Sequence, residues 1–135
     1  MKLTLLIATL LTFSGLAHAE GSIVFQMQGF KTADGSVRCA LFSEEAWLKD
    51  AIDGVVVPIE SGRAVCTFRD LPAGDYGIVA HHDRDDDEIM RKTLGIPREP
   101  YCFSRNAKAR FGPPKFAKAK FHHDGQLTHE QAKLK

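Results

Sequence analysis

Short runs of alternating apolar and polar residues, separated by segments punctuated with glycine or proline, constrain this chain more than any other feature. Successive side chains of a strand point to opposite faces, so a period of two marks strands with one buried face, and no long stretch after the first 20 residues carries the 3.6-residue period of a helix. In 22–28, "SIVFQMQ", Ile23, Phe25 and Met27 alternate; in 35–42, "GSVRCALF", Val37, Cys39 and Leu41 share a face. Further strands are predicted at 55–60, 63–70, 76–82, 115–123 and 126–134. Pro58 demotes the third to an edge strand, and Ser61-Gly62 predicts a two-residue hairpin turn between the third and fourth. The segment "SEEAWLKD" suits a turn or two of helix, with Ser43 as cap and acidic residues first; Trp47 and Leu48 are expected to cover one end of the core. Seven short strands joined by tight turns predict an all-β, seven-stranded antiparallel β-sandwich with a short helix and one long loop, 83–114.

The opening "MKLTLLIATLLTFSGLAHAE" has Lys2, an apolar run from Leu3 to Phe13 and the small-x-small end Ala17-His18-Ala19. It is expected to be a signal peptide, 1–19, cut after Ala19 and leaving one domain, 20–135, in the periplasm or secreted. The apolar run is about half of the roughly 20 residues that span a bilayer, and no cysteine follows the cut, so no membrane anchor is expected. Removing Lys2 turns 18 basic and 17 acidic residues into 17 and 17, a balance that argues against nucleic acid as a partner.

The runs "RCALFSEEAWLKD", "FRDLPAGDYGIVAHHD" and "LGIPREPYCFSRNAKARFGPPKF" resemble a bacterial family of exported proteins, domain of unknown function 2141, over about Ile23 to Leu134. The resemblance implies a prealbumin-like or immunoglobulin-like sandwich and no established activity.

The stretch "HHDRDDDE", 81–88, holds two imidazoles and five carboxylates. The family's loop is similar to calcium loops, whose oxygen ligands recur at alternate positions, and calcium takes six to eight oxygens. The resemblance places His82 on the family histidine and Asp83, Asp85 and Asp87 on its oxygen positions, with calcium as the implied cofactor. Glu88 stands at the family's turn glycine and offers a further carboxylate; Arg91 stands at a later aspartate. The competing expectation is a solvated loop neutralised by Arg105, Lys108, Arg110, Lys115, Lys118 and Lys120, since 101–120 holds no acidic residue. A third is a zinc or copper site, carrier or enzyme, using His82 with His122 or His123 from the second cluster, His122-His123-Asp124.

No nucleophile elbow, paired-cysteine redox motif or phosphate loop is present, so a non-catalytic binding or accessory module is expected. Tyr101, Ser104, Asn106 and Arg110 either line a recognition surface for a small molecule, glycan or protein, or simply fix the loop. Of the three cysteines, Cys39 and Cys66 lie on the apolar faces of their strands and are expected to bridge across the sandwich, leaving Cys102 as a free thiol in the loop.

Overall fold

A computed structural model of the chain describes residues 21–88, 92–93, 96–97 and 99–135. The expected signal peptide and Arg91 lie outside them. The strands are β1 (Gly21–Gln28), β2 (Ser36–Phe42), β3 (Asp53–Val57), β4 (Arg63–Leu71), β5 (Gly74–Asp83), the two-residue β6 (Lys92–Thr93) and β7 (Ile96–Pro97), β8 (Tyr101–Phe103), β9 (Phe121–His123) and β10 (Leu127–Lys133). A 3-10 turn, Ser104–Asn106, follows β8, and the single-turn helix α1 is Phe116–Ala119.

Two sheets pack face to face. One is ordered β10-β1-β4, the other β3-β2-β5-β8, with β9 paired to the first residues of β5. The alternation does what it predicts: Ile23, Phe25 and Met27 from β1, Val37, Cys39 and Leu41 from β2, Ala64, Cys66 and Phe68 from β4, and Tyr76, Ile78 and Ala80 from β5 form the core. The Cys39–Cys66 disulfide links β2 to β4 and so ties the two sheets together. Cys102 is free, buried in the same core, and burial pushes its thiol up to about 12.

Among the described residues eight strands exceed two residues, against seven predicted. The additional one, β8, is three residues long and follows Pro100 directly, too short to carry a period of its own. Its pairing with Val79–His81 of β5 creates it. The sandwich is not wholly antiparallel, because β1 and β10 run parallel. The predicted hairpin at Ser61-Gly62 exists only as a turn: both residues have positive φ (52° and 73°), and a single Glu60–Arg63 bridge closes it. Beyond it the strands part, β3 to one sheet and β4 to the other, because Pro58 cannot donate to a ladder and Ile59 is drawn into the core. The segment 115–123 also splits: 116–119 forms α1, which buries Phe116 and Ala119 on one face, and only 121–123 is strand.

Trp47 does not cover an end of the core. It lies on the outer face of the β2-β5-β8 sheet, with ring contacts to Phe42, Phe103 and Phe116, and Leu48 beside it is exposed. The indole N–H donates to the Pro114 carbonyl at 2.9 Å. Gly77 lies directly beneath: a Cβ there would stand 2.6 Å from the indole. No helix among the described residues is long and apolar enough to cross a membrane. That fact and the disulfide are compatible with an extracytoplasmic protein.

Candidate metal centre

Strand β5 ends on Asp83, and alternation puts its side chain on the outer face of the sheet with His81, away from Tyr76, Ile78, Ala80 and His82. Arg38, opposite His81 on β2, reaches the same place. Its Nε donates to Asp83 Oδ2 at 2.7 Å. The chain then curls back over this fully buried carboxylate: the Glu88 amide donates to Oδ2 at 2.9 Å and the Asp87 amide to Oδ1 at 3.2 Å. Burial pushes the Asp83 carboxyl up, but the Arg38 guanidinium, the two amides and a hydrogen bond with Asp85 outweigh it and hold the group at about 2. Gly35 makes the close approach possible, since a Cβ there would fall 2.0 Å from the Asp83 carbonyl oxygen.

The β5–β8 register pairs His81 with Tyr101. Two residues further, the same register sets Glu99 against Asp83, and the His82 amide donates to the Pro100 carbonyl at 2.8 Å as that register requires. One carboxylate oxygen from each of Asp83, Asp85, Asp87 and Glu99 then lies within 4.8 Å of the others. Glu99 is 8% exposed and Asp85 faces solvent. His81 Nε2 lies 3.8 Å from Glu99 Oε2, and burial holds its imidazolium below the ordinary value.

Three of the five residues expected to hold a metal therefore meet, and two do not. Glu88 is 76% exposed and turned toward Arg38, with 3.6 Å between Oε1 and Nη2. His82 points to the core side of the same strand, where its Nε2–H donates to the Asp34 carbonyl at 2.6 Å and Phe30 packs edge-on against its ring. Glu99 takes the place expected of them. Its sequence position, 16 residues after Asp83, is close to it only once β5 and β8 pair.

The transition-metal site built from both histidine clusters is not formed. β9 pairs with the beginning of β5, His123 opposite Gly74, so His82 lies eight residues along the strand, about 26 Å away. His123 is buried with both nitrogens engaged, Nδ1 with Thr128 Oγ1 at 2.7 Å and Nε2 with the Leu71 carbonyl at 3.2 Å. His122 faces Asp75 at 2.9 Å on the surface.

Nor do the four loop residues line one surface. Tyr101 is half-buried and Arg110 exposed, but Ser104 is fully buried; its hydroxyl donates to the Ala119 carbonyl at 2.6 Å and accepts the Ile78 amide at 2.9 Å. Asn106 Oδ1 accepts the Lys133 amide at 2.9 Å, joining the loop to β10. These two fix the loop.

The family model described as "uncharacterized protein conserved in bacteria (DUF2141)" matches residues 13–131. The chain belongs to this family. No curated protein and no solved structure matches it. DUF2141 membership carries no activity, so function rests on the site. The family resemblance does sharpen one position: at the place of the turn glycine, Glu88 adopts a left-handed backbone, φ 66°.

Proposed function

We propose that the protein is an exported, non-catalytic binding or accessory module whose acidic loop takes a divalent cation, calcium by ligand type, through Asp83, Asp85, Asp87 and Glu99. The convergence of four carboxylates from two distant segments carries this reading. Carboxylates set against each other across a strand pair repel, and the cation described at Asp83 is Arg38, which also faces Glu88. A bound divalent ion relieves that repulsion. An all-oxygen set selects a hard cation over zinc or copper, and four carboxylates leave two to four positions of a calcium shell to water or carbonyl oxygens. The cation's role is to hold the start of the long loop against β8, giving whatever small molecule, glycan or protein the module receives a fixed surface. The Cys39–Cys66 bridge supports export, because such bonds persist in oxidising compartments.

Thermal unfolding in calcium, magnesium, zinc and chelator tests the proposal. Saturating calcium is expected to raise the midpoint by about 10 °C, the response of a domain of this size to a ligand present at about a hundred times its dissociation constant. Asp85→Ala and Glu99→Gln should abolish the shift and Glu88→Gln should preserve it. A protein indifferent to all three ions, or a calcium shift that survives Asp85→Ala, would sink the idea.

A further inference from the structure

The near-zero net charge conceals a segregation. From 105 to 120 the chain carries Arg105, Lys108, Arg110, Lys115, Lys118 and Lys120 and no carboxylate side chain. All six are exposed, and among the described residues the one seen in an ion pair is Arg105, 3.5 Å from Glu130. They do not neutralise Asp83, whose cation is Arg38. Phe116, at the base of the segment, packs over Gly77, six residues or about 20 Å along β5 from Asp83. The 116–120 end of the basic segment therefore lies toward the opposite end of the strand from the acidic loop, whereas Lys108 reaches Lys135, whose amide donates to the Tyr101 carbonyl at 3.2 Å. Lys135 falls under the same basic field: partial burial first, and then the charge of Lys108, lower its ammonium below the ordinary value.

At the tip of this segment Phe111 is 88% exposed. Gly112 beside it has φ +69°, and nothing lies within 4 Å of where its Cβ would be, so the tip stands clear of the rest of the fold there. Both ends are anchored, by buried Ser104 on one side and by Phe116 and the Trp47–Pro114 hydrogen bond on the other. A phenyl ring held out to water on an anchored tip, flanked in sequence by Lys108, Arg110 and Lys115, matches an interface where apolar and anionic groups lie together.

We propose that the loop 105–120 docks the protein peripherally on an anionic phospholipid surface, with Phe111 entering between headgroups and the lysines and arginines facing lipid phosphates. Each cation near such a surface adds attraction that falls away within a Debye length, and the ring adds a salt-independent part.

Co-sedimentation with phosphatidylcholine vesicles, with and without about one-third phosphatidylglycerol, decides the matter. With chelator present, so that calcium cannot bridge protein to lipid, the protein should bind the anionic vesicles alone and be released when salt rises from about 0.1 to about 0.5 M. Phe111→Ser should weaken binding about tenfold, and the double variant Lys108→Glu, Arg110→Glu at least as much, with thermal unfolding unchanged because all three side chains are exposed. Absence of binding to anionic vesicles would overturn the proposal, as would binding indifferent to Phe111→Ser. Loop-dependent binding to a soluble polyanion such as heparin, without vesicle binding, would overturn it in favour of a different partner.

Discussion

Glu88 separates what a position asks of the backbone from what it asks of the side chain. Its amide is needed by Asp83, its φ of 66° is one that a Cβ disfavours, and its carboxylate stands largely in water. Replacing it with glycine removes the Cβ clash while returning some freedom to the unfolded chain, and the exposed contact to Arg38 contributes little. Glu88→Gly is therefore expected to stabilise by about 0.5–1 kcal/mol, read as a higher urea midpoint at unchanged slope. At this scale the sequence was legible in part. The alternate aspartates 83, 85 and 87 announced converging oxygens, whereas His82 and Glu88 were excluded by facts that a linear pattern does not carry: strand alternation sends His82 inward, and the curl that presents the Glu88 amide sends its side chain out.

Between elements, the joints are made by residues that look suited to a surface. Ser104 links β5 to the end of α1 through both of its hydrogen bonds. Ser104→Ala would leave the Ile78 amide and the Ala119 carbonyl buried without that partner, at a cost of about 2–3 kcal/mol, measurable by denaturant unfolding and by faster exchange of the Ile78 amide. A surface serine would cost nothing detectable. The strands β1, β2, β4 and β5 were readable because each is seven residues or longer and buries at least three alternate side chains. The segment 115–123 was not, because Ala-Lys-Ala-Lys satisfies a period of two as well as a single helical turn, and contact of Phe116 with Trp47 chooses the turn.

At the scale of the fold, the two sheets that pack face to face share one covalent tie among the described residues. Reduction of Cys39–Cys66 is expected to cost about 3.5 kcal/mol in the chain-entropy model for a separation of 27 residues, seen as a lower unfolding midpoint in reductant. That pairing followed from sequence, since both cysteines sit on the apolar faces of strands that had to meet. Local alternation by itself determined that the chain is a β-sandwich and which faces are buried, Cys39 and Cys66 among them, because burial of one face acts on each strand independently. Tertiary structure alone decided that β1 and β10 run parallel, that Glu99 joins Asp83, and that the two histidine clusters stand at opposite ends of β5. Each of these depends on which strands become neighbours and in what register, a choice made by the packing of both sheets together and written in no single segment.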